Sequence, residues 1–278
     1  MKSLVLCADD FALHAPASQG IVALAEAGRL SATSVMTLSP RWAQDAPALA
    51  SLRDRLDVGL HLDWTSDFAI AAGHGAPLGA VMRRAALSGH EVAAAARCIE
   101  AQLDAFEKVW GAAPDHVDGH QHVQQFAGIR EALVQVLGRR YGPSRRPYLR
   151  VSRPVGWQGG LKGRVIAAMG AGRLQSLARA QGIPAARWLS GIDDFSGDAA
   201  DYGRRMARWL SAAPDGTLLM CHPALADEPG DEIGAARLRE WTYLRSPAFE
   251  QALAQAGAVL SRGRALYAST PSANKEAA

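Results

Sequence analysis

The chain has 278 residues, of which 49% are hydrophobic and 21% charged, and its formal net charge at pH 7 is +3. This composition is typical of a packed globular protein and excludes disordered, collagenous and coiled-coil chains. The sequence has no run of about 18 apolar residues that would span a membrane. Its apolar start is too short for a signal peptide, and it has only three cysteines, so we expect a cytoplasmic protein.

Predicted strands and helices alternate along the chain. The strands are predicted from short apolar runs that are bounded by polar or turn-forming residues. They cover residues 4–8, 32–38, 56–62, 116–123, 148–151, 217–223 and 264–268.

Two helices stand out between these strands. The first covers residues 18–27, and the second follows a capping box formed by Ser88 and Glu91. The second helix carries apolar residues at intervals of three and four up to Trp110, and Gly111 ends it. The apolar residues of the second helix therefore lie on one helical face.

Two segments are predicted to be less regular than the rest. Residues 63–87 contain Pro77 and several glycines, which are typical of a long, partly ordered loop that acts as a mobile lid on a substrate cleft. The polar residues 269–278 are predicted to form a disordered tail. The alternation of strands and helices predicts one α/β domain with a mainly parallel sheet over residues 1–268. Periodicity alone does not separate an open sheet from a closed barrel.

The densest basic stretch contains six arginines between residues 139 and 153. A nucleic-acid groove would combine such charge with aromatic residues on one face. Here Gly142, Pro143 and Pro147 interrupt the pattern. We therefore interpret most of these arginines as part of a solvated connecting loop and expect no nucleic-acid partner.

Polar side chains follow the predicted strands at the end where α/β proteins build their sites. These residues are Asp9, Asp10, His61, His120, His122 and His222. Four residues of one segment share the parity of a strand face: His116, Asp118, His120 and His122. Imidazoles and a carboxylate on one buried face are costly without partners, and they are good zinc ligands. The pattern therefore favours a metal site over hydrogen-bonded packing residues.

The adjacent aspartates Asp9 and Asp10 would point in different directions from an extended chain. One of them is then free to bind a metal while the other acts as a base. No Gly-rich phosphate loop and no GxSxG motif occurs, which disfavours nucleotide cofactors and serine hydrolase chemistry.

Four short motifs follow one another between residues 8 and 223: Ala8-Asp9-Asp10-Phe11, Gly59-Leu60-His61-Leu62, Asp118-Gly119-His120-Gln121-His122-Val123 and Met220-Cys221-His222-Pro223. In this order they resemble the YdjC-like carbohydrate deacetylases, a family that includes chitooligosaccharide and hopanoid-biosynthesis deacetylases. The resemblance implies a single-domain, distorted (β/α) barrel of the polysaccharide-deacetylase type.

The resemblance also implies a metal-dependent hydrolase that removes acetyl groups from N-acetylated sugars or oligosaccharides. One divalent ion, zinc or magnesium, would be held by Asp10, His61 and His120. Asp9 would be the general base and His222 the general acid. Because His122 lies two residues from His120, it stays open as the alternative third ligand.

Substrate contacts are also implied. A basic residue of the fifth strand, Arg150 or Arg153, would lie near the substrate, and we assign this role to Arg150. His122 would lie where the substrate approaches. Three tryptophans in predicted loops would either stack on sugar rings or pack in the core: Trp42, Trp64 and Trp157. Of these, Trp64 is assigned to the substrate site.

The chain departs from the family pattern at Ala12, where glycine is usual, and at Gln124, where histidine is frequent. Both departures put the substrate in doubt rather than the chemistry. Two alternative functions therefore stay open. One is a deacetylase that acts on a lipid-linked or other non-chitin glycan, and the other is a sugar-binding relative without catalytic activity. The presence of both Asp9 and His222 favours the enzyme. The sequence leaves the oligomeric state open, a homodimer included.

Overall fold

Parallel strands curved into a nearly closed barrel form the centre of the computed structural model, which describes residues 1–267. In this part of the chain the strands are β1 (Lys2–Phe11), β2 (Ala32–Val35), β3 (Asp57–Leu62), β4 (His116–Gly119), β5 (Tyr148–Arg150), β6 (Ala185–Ala186), β7 (Leu189–Ser190), β8 (Leu218–Cys221) and β9 (Ala258–Leu260). Their order is β6-β5-β4-β3-β2-β1-β8-β7, with β9 beside β1, and these pairings are parallel. The predicted single-domain (β/α) barrel is therefore confirmed.

Helices occupy most of the connections and surround the sheet. Within residues 1–267 they are α1 (Ala15–Glu26), α2 (Trp42–Asp45), α3 (Asp67–Ala71), α4 (Leu78–Leu87), α5 (Val92–Trp110), α6 (Ile129–Arg140), α7 (Gly160–Ala168), α8 (Ala171–Ala180), α9 (Ala199–Ala212), α10 (Gly234–Leu244), α11 (Pro247–Gln255) and α12 (Gly263–Tyr267). Among these residues, no helix combines the length and apolar character that crossing a bilayer requires.

Strand β1 lies in the middle of the sheet because its neighbours cover both of its edges. Residues Val5 to Ala8 pair with β8, and the first residues of the strand pair with β9. From Leu4 to Ala8 the side chains are at most 1% exposed. A parallel strand covered on both faces needs such a continuous apolar run, which is why the sequence located it correctly.

Several predicted boundaries differ from the structure: β2 ends at Val35 and β4 at Gly119, before the predicted residues 38 and 123. Helix α5 begins at Val92, because the Glu91 carboxylate accepts the backbone N–H groups of Ala93 and Ala94. Ser88 instead ends α4. The last predicted strand is also wrong, since residues 263–267 are helical and β9 precedes them. The predicted tail, residues 269–278, lies outside the described residues.

The segment 63–87 is largely helical, so the prediction of a long, partly ordered loop is wrong. Its predicted place beside a cleft agrees with the structure, because Phe68, Leu78 and Met82 line a cavity. It contains α3 and α4, and the Ser66 hydroxyl caps α3 by accepting the N–H groups of Phe68 and Ala69. Helix α4 buries Val81 and Ala85, four residues apart on one face. That short apolar face provides too few repeats to be recognised in the sequence.

The arginine-rich segment is mostly engaged in contacts within the protein. Arg140 ends α6 and contacts Glu100 and Glu107 of α5 at 2.6 and 2.8 Å. Arg146 donates to the carbonyl oxygen of Gln181, and Arg150 is buried in β5. The interpretation of a solvated loop is therefore wrong for these three arginines. Their charges are matched by acidic groups or carbonyl oxygens of the same chain.

Gly59 provides a test of how closely the barrel interior is packed. A Cβ at this position would lie 2.3 Å from the imidazole of His116. That ring stacks on Tyr148 at 5.0 Å, so it cannot retreat. We expect Gly59→Ala to lower the free energy of unfolding by about 1–3 kcal/mol, as overpacking does, in chemical denaturation.

Gly79→Ala is the matched control, because Gly79 lies in α4 with open space around it. This substitution should raise the free energy of unfolding by about 0.5–1 kcal/mol through the lower entropy of the unfolded chain. If Gly59→Ala is as stable as the unchanged protein, the packing argument fails.

Candidate functional site

The carboxyl ends of the strands surround a cavity of about 1000 Å³. Its polar floor contains the sequence-predicted residues Asp9, Asp10, His61, His120, His122, Arg150 and His222. The structure thus brings these seven residues together, at the end of the barrel where α/β enzymes carry their sites.

A β-bulge at the end of β1 brings both adjacent aspartates to the cavity. Ala8 pairs with Thr33 and Phe11 with Val35, so β1 has one residue more than β2 between these pairs. Asp10 has a φ of 69°, in the left-handed region. An extended chain would point Asp9 and Asp10 to opposite faces, whereas the bulge redirects one of them. Both carboxylates therefore line the cavity while they keep separate partners, Arg150 for Asp9 and Arg237 for Asp10.

Asp10, His61 and His120 form a group with the geometry of a metal site. Their potential ligand atoms lie within 4.8 Å of one another. Asp10 Oδ1 is 3.3 Å from His61 Nε2 and 3.0 Å from His120 Nδ1. One carboxylate and two imidazoles are a donor set that suits zinc and similar divalent ions.

Asp118 orients His61 toward this group. The Asp118 Oδ1 atom is 2.6 Å from His61 Nδ1, which leaves Nε2 facing Asp10. A carboxylate behind a histidine is the usual support of a metal-ligating imidazole. Burial opposes the charged form of His61, but the carboxylates of Asp118 and Asp9 raise its pKa to about 10. The sequence indicated Asp118 through its parity and its place in the third motif, but assigned it no role.

Arg237 of α10 contacts the other oxygen of Asp10 and was missed by the sequence analysis. Its Nη2 donates to Asp10 Oδ2 at 2.8 Å. Burial would raise the pKa of Asp10, but Arg237 and then His120 hold it well below its usual range. The carboxylate therefore stays ionised. Arg237 belongs to no recognisable motif, so no signal in the sequence pointed to it.

His120 and His122 diverge because β4 ends at Gly119. Gln121 and His122 have φ values of 52° and 64°, so the strand parity does not continue and the prediction of one shared face is wrong. His122 Nδ1 instead faces Ser152 Oγ at 2.9 Å. Burial and the Arg150 charge lower the pKa of His122 well below its usual range, which keeps this imidazole neutral. His122 lines the cavity but lies outside the group around Asp10.

Arg150 is bound to carboxylates beneath the cavity. It is 1% exposed, and its Nη1 lies 2.7 and 2.8 Å from the two oxygens of Asp9 and 3.0 Å from Asp118. The expectation that Arg150 contacts substrate directly is therefore not supported by its environment. Its guanidinium fixes the orientation of Asp9.

His222 follows β8 directly and faces Asp9. Its Nε2 is 3.8 Å from Asp9 Oδ2, and its backbone N–H donates to the buried Glu240 at 2.6 Å. The ring of Phe195 packs edge-on against the imidazole, with centroids 5.4 Å apart. Glu240 and Phe195 hold His222 in place, and neither was identified from the sequence.

Backbone strain is concentrated around the cavity. Among the described residues, the non-glycine positions with positive φ are Asp10, Ala12, Gln121, His122 and Phe195. All of them except Ala12 line the cavity. Such conformations cost about 1–3 kcal/mol each and cluster where function requires a particular side-chain direction.

The tryptophans do not provide the expected stacking surface. Trp64 is 3% exposed and packs against His74, and Trp42 is 2% exposed beside Phe106. Neither has a free face for a sugar, so the assignment of Trp64 to the substrate site is wrong. Trp157 is exposed but does not line the cavity, where the aromatic side chains are Phe68, Phe126 and Phe195.

Substitution of His120 and substitution of His122 should have different effects on the metal content of the protein. His120→Ala removes a nitrogen that faces Asp10, so we expect the affinity for zinc to fall at least about tenfold. His122→Ala should retain bound zinc, because His122 contacts Ser152 instead. Metal analysis after dialysis measures both. Loss of zinc from His122→Ala but not from His120→Ala would reverse the assignment.

Comparison with known proteins adds independent information. A family model described as YdjC-like protein matches residues 3–255. A chitooligosaccharide deacetylase from Serratia marcescens is 27% identical, over 93% of this chain and 97% of its own. A carbohydrate deacetylase from Mus musculus is 33% identical over 48% of this chain, and that match spans about half of the relative, 46% of its length.

Solved structures share the fold at low sequence identity. A crystal structure from Enterococcus faecalis, of a protein named for cellobiose-phosphate cleavage, has a TM-score of 0.70 at 19% identity and covers 96% of this chain and 99% of that chain. The Xyl-CE4 domain of a xylanase from the hindgut metagenome of Trinervitermes trinervoides has a TM-score of 0.53 at 10% identity. The match covers 96% of this chain and 89% of that chain. Both support the barrel architecture.

Proposed function

The chain belongs to the YdjC-like family, and on that premise we propose that it is a metal-dependent hydrolase that removes acetyl groups from N-acetylated sugars. The observation that carries the proposal is the group formed by Asp10, His61 and His120, with Asp9 and His222 beside it. A sugar-binding protein would need neither a base nor an acid at this place. The names of the relatives, which are carbohydrate and chitooligosaccharide deacetylases, support the substrate class.

Asp10, His61 and His120 would hold one divalent ion. Two imidazole nitrogens and one carboxylate oxygen favour zinc over magnesium, which prefers oxygen ligands. When bound, such an ion supplies Lewis acidity toward a carbonyl oxygen and lowers the pKa of water.

Asp9 is the proposed general base. Arg150 contacts both of its oxygens, so the carboxylate has one fixed orientation in the cavity floor. Asp9 Oδ2 faces His222 and would accept the proton of the attacking water. This assignment requires Arg150 to position Asp9 rather than to bind the sugar.

His222 is the proposed general acid. Its Nε2 lies on the cavity side near Asp9, while Nδ1 is 3.9 Å from Glu240 Oε1. The imidazole would donate its proton to the departing nitrogen, so that hydrolysis yields acetate and a free amine. Phe195 limits rotation of the ring, which would keep Nε2 on the side of Asp9 and the cavity.

A second candidate concerns the rest of the substrate. Away from the polar floor, much of the cavity wall is aliphatic: Leu78, Met82, Leu161, Val165, Ile166 and Met169. Such a wall favours a sugar that carries an apolar group, as in a lipid-linked glycan, over a fully polar chitin oligomer. Acetate release from chitobiose, compared with release from alkyl N-acetylglucosaminides of increasing chain length, separates these candidates.

The adjacent aspartates test the mechanism because they have different proposed roles. Asp9→Asn should keep the metal while turnover falls by about 10²–10⁴-fold, the usual contribution of a general base. Asp10→Asn should lower both the metal content and the turnover. The assay is acetate release from N-acetylated oligosaccharides, with metal analysis of the same samples.

The matched control is Asp104→Asn, an exposed aspartate of α5 far from the cavity. It should behave like the unchanged protein in both measurements. Full acetate release by Asp9→Asn at normal metal content would refute the assigned mechanism.

Chelation is a separate test of metal dependence. Dialysis against a chelator should abolish acetate release, and adding back zinc should restore it, because the group around Asp10 would then be refilled. Magnesium, cobalt and nickel are tested in parallel. Undiminished activity in protein that metal analysis shows to be free of metal would contradict the proposal.

A further inference from the structure

Arg237 is a buried arginine that reaches the cavity floor from α10. Its side chain is 3% exposed. It joins two carboxylates, since Nη2 donates to Asp10 Oδ2 at 2.8 Å and Nε donates to Asp231 Oδ2 at 2.6 Å. The planar guanidinium fork can make both contacts at once, which a lysine ammonium on a flexible stem would not reproduce.

The two oxygens of Asp10 have different partners. Oδ1 faces the imidazole nitrogens of His61 and His120 at 3.3 and 3.0 Å. Oδ2 faces Arg237. The carboxylate therefore cannot turn both oxygens toward the histidines without losing its bond to Arg237. A single-oxygen ligand leaves one more position open at an ion, and catalytic metal sites need open positions.

Asp231, which binds Arg237, is itself held by two parts of the chain. Asp231 also lies 3.1 Å from His14 Nε2 and accepts the backbone N–H of Ile233. His14 Nδ1 in turn accepts the N–H of Ala17 at the start of α1. The loop before α10 and the start of α1 thus converge on Asp231. This support gives the guanidinium a defined position relative to Asp10.

We propose that Arg237 is a positioning residue of the metal site, which restrains Asp10 so that only Oδ1 is presented to the ion. The inference rests on the proposed function, because it takes Asp10 to be a metal ligand. Its consequence is specific: without Arg237, Oδ2 becomes free to join Oδ1 as a second oxygen ligand.

Cobalt(II) is the probe, because its visible absorption reports the number and geometry of its ligands. Metal-free protein and Arg237→Met are titrated with cobalt(II) and followed by absorbance and calorimetry. We expect weaker visible absorption from Arg237→Met at saturation, since an added oxygen raises the coordination number of the ion. Arg245→Met, an exposed arginine at the end of α10, should match the unchanged protein.

The spectrum is decisive because general loosening of the site would lower affinity without adding a ligand. An unchanged spectrum for Arg237→Met at saturation overturns the proposal, whatever its affinity. Should that variant fail to fold, Asp231→Asn weakens the support of Arg237 with little change in shape. It should shift the spectrum in the same direction to a smaller extent, and an unchanged spectrum there also overturns the proposal.

The same titration separates this inference from the function on which it rests. If the unchanged protein does not bind cobalt(II), or binds it equally well as Asp10→Asn, the proposed metal site is refuted. If binding requires Asp10 and Arg237→Met keeps the normal spectrum, only the role of Arg237 is refuted.

Discussion

The arrangement of the site depends on charge compensation beneath the cavity. Three carboxylates, those of Asp9, Asp10 and Asp118, are at most 2% exposed at the carboxyl ends of their strands. Carboxylates in such surroundings are tolerated only when they are paired and hydrogen-bonded. Two buried arginines provide the pairing: Arg150 contacts Asp9 and Asp118, and Arg237 contacts Asp10. Because each arginine has a planar set of donors, it fixes the orientation of the carboxylate as well as balancing its negative charge. The same contact therefore compensates the charge and positions the side chain.

These pairs also connect parts of the barrel that are far apart in the chain. Asp9 and Arg150 are separated by 141 positions, and Asp10 and Arg237 by 227. The first pair spans from β1 to β5 across the barrel interior, and the second joins β1 to α10. Removing one partner would leave an uncompensated charge in the interior, which is far more destabilising than losing an exposed ion pair. The polar floor of the cavity is consequently part of what holds the barrel together.

Rigid surroundings allow the site to hold backbone conformations that an isolated segment would avoid. Asp10 adopts a left-handed conformation within a β-bulge, and Phe195 does so beside His222. Each of these residues directs a side chain into the cavity, so the strained backbone determines where that side chain lies. Two hydrogen bonds have a similar effect: Asp118 orients the imidazole of His61, and Glu240 accepts the backbone N–H of His222. Asp9, Asp10, His61 and His222 are thus oriented by groups outside the chemistry itself, whereas His120 contacts Asp10 directly.

The sequence by itself determined the alternation of strands and helices, because the period of a strand is a local property. For the same reason it placed the main candidate site residues at strand ends: Asp9, Asp10, His61, His120 and His222. It could not decide between His120 and His122, since the left-handed turn after Gly119 breaks the parity on which that choice depended. It also could not show that Trp64 is buried or that α3 and α4 are helical. Arg237, Asp118 and Glu240 acquired roles only in the tertiary structure. The physical reason is that their partners are remote in the chain, and only closure of the barrel brings the charges close enough to require one another.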